Sequence, residues 1–181
     1  MKRLFIVSIL SCLAIAGYAQ NETNNKVVKK TVKKNFKLDT KTAYNYFLLD
    51  IVRDVDSVYS RYEGTVQDVW SGKNKIDLKG SSNTAIKDAD RIYRMVQETN
   101  IYQGGDEYQK AVLTYIEAVK EKIRLLEIYG ILGADPESDA GEYDDAAIKF
   151  HEATNDAIDK RNKLREKKSL YEKTVYMKVK K

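Results

Sequence analysis

Cysteine is almost absent from this chain. Cys12 is the only one, and it lies within the first nineteen residues. Beyond them there is no thiol for a disulfide or a Cys-based metal site, so stability has to come from packing. Histidine is as scarce. His151 stands alone, with Ile148 three residues before it in place of a carboxylate. The Glu-x-x-His pair of di-iron bundles is therefore missing, and no Cys-x-x-Cys-His offers covalent haem attachment. Pro136 is the only proline and no long strand pattern appears, which excludes most β and α/β architectures. The nine glycines form no phosphate loop, no dinucleotide fingerprint and no Gly-x-Ser-x-Gly elbow. After residue 19 no apolar run reaches membrane-spanning length.

What is present begins with a leader. Lys2 and Arg3 precede an apolar run from Leu4 to Ala16, and Gly17-Tyr18-Ala19 places small residues where a signal peptidase reads them. Residues 1–19 thus read as a signal peptide, with the mature chain beginning at Gln20 in the periplasm or at the outer surface. The alternative is a lipoprotein anchored through Cys12, since Ile9-Leu10-Ser11-Cys12 loosely follows a lipobox. Against it, Leu13 to Ala19 are apolar where a polar tether is expected.

Charge is segregated along the chain. Residues 20–37 carry six lysines against Glu22, a net +5, and residues 160–181 carry ten basic residues against Glu166 and Glu172, a net +8. The body between them, 38–159, has a net charge of −10. The basic pI therefore describes two basic ends on an acidic body. The segment 20–37 is polar and Lys-rich, too poor in apolar residues to fold alone, and reads as a flexible basic arm. Lys29, Lys30, Lys33 and Lys34 are its candidate contacts to an anionic surface, such as lipid headgroups or lipopolysaccharide. Nucleic acid is not an expected partner, because the exported chain has no recognisable binding module.

From 38 to 178 the apolar pattern is helical. The first stripe, Tyr44, Leu48, Ile51, Val55, Val58, Tyr62, Val66 and Val69, advances in steps of three and four. Asp39 or Thr40 can cap it, and Ser71-Gly72 stops it. Residues 71–83 read as a loop, with Ile76 and Leu78 alternating in a short extended piece. A shorter second helix runs from about Thr84 to Thr99. A third follows Asp106 as its N-cap, ends near Gly130 or Gly133, and carries Tyr108, Val112, Tyr115, Val119, Ile123 and Leu126 inward. A fourth opens at Asp139 and Glu142 and continues through Phe150, expected to face inward, to Val175, with its last turns from Lys160 overhanging. The expected fold is all-α: an antiparallel four-helix bundle with a short second helix.

Remaining motifs favour structural explanations. The acidic segment 135–145 fails a calcium loop because Ala140 and Ala146 occupy the positions that need Gly and Glu. Helix-spaced charges such as Asp88/Arg91, Asp90/Arg94 and Glu117/Lys120 read as solvated faces. Thirteen tyrosines against four phenylalanines suit helix margins with hydroxyls in water, or else an aromatic groove for a glycan, peptide or helix. No catalytic, cofactor-binding or metal-binding residue is assigned.

Gly104 to Ile116, Phe150 through Tyr171, Ala43-Tyr44-Asn45 and the leader together resemble an uncharacterised family of exported helical surface proteins of Gram-negative bacteria. That resemblance implies a secreted or envelope-associated helical bundle and transfers no functional residue. The expected function is non-enzymatic binding at the cell envelope, to a protein, a glycan or an anionic surface. The alternative is a periplasmic chaperone-like holder of client polypeptides.

Overall fold

A computed structural model of the chain describes residues 38, 40–73 and 75–176. Four helices and no strand occur among them: α1 Lys41–Trp70, α2 Leu78–Gln97, α3 Asp106–Ala134 and α4 Ala140–Tyr176. The all-α four-helix bundle is the fold. The proposed leader and basic arm, including Lys29, Lys30, Lys33 and Lys34, lie outside the described residues.

Helix α1 follows the expected stripe. Tyr44, Leu48, Ile51, Val55, Val58, Tyr62 and Val66 are buried, and Val69 is half-buried. Thr40 is its N-cap, accepting from the Ala43 N–H at 3.0 Å and so satisfying one of the free donors of the first turn. Its exit uses Gly72 at φ +70°, a left-handed conformation that costs glycine little.

Helix α3 is the central element. It packs against all three others, while α1 also packs against α2. The α3–α4 contact is the most extensive. The inward face of α4 explains why: Ala146, Ala153 and Ala157 are small and let the two helices approach closely. Across the other side of α4, α1 is reached through long side chains, including Asn45 to Glu172, Asp56 to Arg161 and the Tyr44–Tyr171 ring pair.

Several expectations are corrected. The loop expected over 71–83 ends early, because α2 begins at Leu78 and takes in Gly80, Ser81, Ser82 and Asn83. Leu78, Ser82, Ala85 and Ala89 form one buried stripe, and that tertiary burial outweighs poor helix propensity. Leu78 is thus a core residue, while Ile76 is exposed. Helix α3 is capped by Gly105, with Asp106 inside its first turn beside Glu107, where the helix dipole favours acids. Its end at Ala134 agrees with the expected stop near Gly133. Gly130 does not stop it, because that position is a close approach: an added Cβ would lie 3.0 Å from Val66 and 3.3 Å from Leu78.

The overhang expected from Lys160 is also wrong. Leu164 and Tyr171 are buried, and Tyr171 meets Tyr44 and Tyr108 at ring-centroid distances of 5.9 and 5.7 Å. Phe150, expected inward, is half-buried at the margin, stacked on Tyr129 at 5.6 Å.

Gly105 carries a direct test. A Cβ there would fall 2.6 Å from a Tyr44 ring carbon and 2.9 Å from the Tyr102 carbonyl oxygen. Gly105→Ala should cost about 1–3 kcal/mol in denaturant unfolding. Gly64→Ala, in a helix interior with nothing near its Cβ, should be neutral or gain about 0.5–1 kcal/mol. If the two substitutions behave alike, the packing at the α3 entrance is wrong.

Candidate binding surfaces

The seam between α1 and α4, floored by α3, holds most of the polar chemistry. Asp56 on α1, Tyr115 on α3 and Arg161 on α4 form a linked set. Arg161 donates to Asp56 Oδ2 at 2.6 Å and to the Tyr115 hydroxyl at 3.3 Å, and that hydroxyl donates to Asp56 Oδ1 at 2.5 Å. Burial, helped by the Asp56 carboxylate, pushes the Tyr115 phenol well above its ordinary range. The set ties three helices together with a charge-assisted network.

One helical turn or two along the seam, the Lys122 ammonium sits 3.8 Å from the centre of the Tyr59 ring and 5.8 Å from that of Phe150. Burial lowers its proton affinity against the opposing pull of Glu63 and Asp56. The Tyr59 hydroxyl donates to Glu63 at 2.6 Å, so the ring that faces Lys122 is held in place. Farther on, Trp70, Tyr129, Tyr143 and Phe150 form an aromatic run, with Trp70 Nε1 donating to the Gly130 carbonyl at 2.9 Å.

At the opposite end Tyr44, Tyr108 and Tyr171 are buried, and none of their hydroxyls has a hydrogen-bond partner among the described residues. This corrects the expectation that tyrosine hydroxyls would reach water. The physical cause is position: these rings fill the space between α1, α3 and α4, where a margin residue would have an exit. Burial raises all three phenols, with Tyr171 and Asp106 adding at Tyr44, Glu172 and then the two neighbouring tyrosines at Tyr108, and Tyr102 at Tyr171.

The expected solvated charge faces hold only in part. Asp50/Arg53, Asp88/Arg91 and Glu121/Arg124 pair along exposed turns. Lys120 does not fit that picture. It is only 8 % exposed and bridges Asp90 on α2, at 2.6 Å, to Glu117 at 2.9 Å. Burial by itself would lower this ammonium, but the hydrogen bonds it donates to Asp90 and Glu117, with the charge of those carboxylates, outweigh it and raise its proton affinity. Asp90 therefore joins two helices through Lys120; its side chain forms no ion pair with Arg94 among the described residues.

The basic C-terminal half of α4 is partly occupied internally. Lys160 pairs with Asp156, Arg161 with Asp56, Lys167 with Glu107 and Lys168 with Glu172. In the acidic segment, carboxylates cap backbone. Asp139 Oδ1 accepts from the N–H groups of Gly141 and Glu142, and Asp135 Oδ1 accepts from Glu137. His151 is exposed beside Phe150. Among the described residues no cluster of three or more His, Cys, Asp or Glu is placed to hold a metal, and no helix is long and apolar enough to cross a membrane.

A groove of about 420 Å³ lies between the C-terminal half of α3 and the first turns of α4. Leu125, Ile128, Ile131, Leu132 and Ala146 form its apolar wall, with Glu142, Asp145 and Lys149 at the rim. It arises because α3 carries apolar residues off its core stripe. Tyr115, Val119, Ile123 and Leu126 point to the core, leaving Ile128 and Ile131 to face outward. Those residues were visible in the sequence as apolar positions out of register, but only the placement of α4 makes them a wall. A second, more polar cleft of about 240 Å³ lies between α1 and α2, around Arg61, Thr65, Thr84 and Asp88.

Set against family models, characterised proteins and solved structures, the chain matches none of them.

Proposed function

We propose that this chain is an exported, non-enzymatic binding protein of the cell envelope, and that its α3–α4 groove takes an apolar, basic segment of a partner protein. The groove carries the reading. Its wall is aliphatic and its α4 rim carries the carboxylates of Glu142 and Asp145, in an acidic stretch that includes Asp135, Glu137, Asp139 and Asp144. An amphipathic segment with Leu or Ile anchors and flanking Lys or Arg matches both features. The client-holding alternative calls for a wide apolar surface, whereas a 420 Å³ groove suits a few anchoring side chains of a defined partner.

The probe is a synthetic amphipathic Leu/Lys peptide, titrated calorimetrically. It should bind the native protein, weaken with added salt, and lose at least about tenfold in affinity to the Ile128→Asp/Ile131→Asp variant, a change of about 1.4 kcal/mol. Both positions are exposed, so helicity should hold. Absence of binding, or equal affinity in the variant, overturns the groove reading. Export is checked separately by the N-terminal mass of the envelope-fractionated protein. A start at Gln20 supports it, and an intact Met1 or an acylated Cys12 overturns cleavage after Ala19.

A further inference from the structure

The fourth helix is divided by charge at its midpoint. Its residues 140–159 hold six acidic residues against Lys149, a net −5, and its residues 160–176 hold seven basic residues against Glu166 and Glu172, a net +5. The helix dipole accounts for acids in the first turn and bases in the last. It does not account for Glu152, Asp159, Lys163 and Arg165, which lie in the middle of a 37-residue helix.

Several of these charges have no internal use. Asp144, Glu152 and Asp159 in the acidic half, and Lys163, Arg165 and Lys173 in the basic half, are exposed and form no ion pair among the described residues. The same outer side carries exposed apolar residues: Ile148, Ile158 and Leu170 are 56 %, 47 % and 56 % exposed. At about 100° per residue Ile148 falls opposite the buried stripe of Ala146, Ala153, Ala157, Leu164 and Tyr171, and Ile158 and Leu170 lie about 120° from that stripe, one on each flank of the outer side. Ile158 lies near the midpoint between Ile148 and Leu170.

We propose that α4 pairs antiparallel with α4 of a second copy of this chain. A two-fold axis near residues 158–159 sets each acidic half against a basic half, and does so twice. It also brings Ile148 of one copy towards Leu170 of the other, with the two Ile158 residues beside the axis. A parallel pair would set like charge against like. A uniformly acidic or basic foreign surface would match only one half of the helix. At about 1.5 Å per residue the helix offers a seam of roughly 55 Å.

Analytical ultracentrifugation of the protein purified from cells expressing the full chain tests this. Self-association is expected at low ionic strength and should weaken towards monomer at about 0.5 M salt, where exposed charges are screened beyond a few ångströms. Two charge variants make the test specific. Asp144→Lys/Glu152→Lys/Asp159→Lys makes both halves basic, and Lys163→Glu/Arg165→Glu/Lys173→Glu makes both halves acidic. Each alone should be monomeric, and an equimolar mixture should associate again. Ile158→Asp should weaken association of the native chain at least tenfold. Matched helicity by circular dichroism guards against misfolding. Lys163, Arg165, Lys173 and Ile158 lie away from the α3–α4 groove, so peptide binding should persist in the Ile158→Asp and Lys163→Glu/Arg165→Glu/Lys173→Glu variants. A protein monomeric at every concentration and salt, or a mixture of the two charge variants that fails to associate, overturns the proposal.

Discussion

Raising the pH above about 10 is expected to unfold this bundle through its tyrosines. Burial lifts the phenols of Tyr44, Tyr59, Tyr62, Tyr108 and Tyr115 far above their ordinary value, and those of Tyr129 and Tyr171 to about 12. In the unfolded chain the same phenols ionise near pH 10. The folded state therefore holds more protons than the unfolded state at alkaline pH, and stability falls as pH rises. The stabilisation is fully present below pH 10 and is lost from there up through the raised values. Ultraviolet difference absorbance and circular dichroism should show delayed phenol ionisation that coincides with loss of helix. Phenols that titrate near pH 10 with helicity intact would show that these rings are not buried as described.

Ile123→Ala should be among the most destabilising single substitutions, at about 2–5 kcal/mol. Ile123 is 0 % exposed on α3, the helix that every other helix packs against, so a cavity there is shared by the whole core. Ile128→Ala on the same helix removes a side chain that is half exposed and should cost under about 0.5–1 kcal/mol. Urea unfolding of the two variants at neutral pH separates them. Equal losses would mean that α3 is rotated about its axis relative to the arrangement described. Phe150→Ala should fall between the two, because its ring is only half-buried against Tyr129 and Lys122.

The helices were legible in the sequence because a 3.6-residue period needs only local information. Tyr44 to Val66 on α1 and Tyr108 to Leu126 on α3 both read as single stripes, and both are buried. The start of α2 was not legible. Gly80, Ser81, Ser82 and Asn83 have loop chemistry, and only burial of Leu78 and Ser82 against neighbouring helices carries the helix through them. Of the two glycines offered as the end of α3, Gly133 marks it to within one residue, while Gly130 lies inside the helix at a close approach to Val66 and Leu78.

The candidate surfaces show a similar divide. Ile128 and Ile131 were present in the sequence as surplus apolar residues, but the groove needs the first turns of α4 laid alongside them. Asp56 and Arg161 are 105 residues apart, and no spacing rule joins them to Tyr115. Lys120 read as half of an exposed i,i+3 pair with Glu117, yet Asp90 from another helix turns it into a buried bridge.

An all-helical bundle, the inward stripes of α1 and α3, a shorter second helix and the segregation of charge along the chain were all legible in the sequence. These follow from periodicity and composition, which each segment carries alone. Which tyrosine hydroxyls lose contact with water, which charges are used between helices and which apolar residues remain outside emerge only once the helices pack. Those outcomes depend on what the neighbouring helix presents at each position, and on burial, which multiplies the strength of every polar interaction and of every unpartnered group alike.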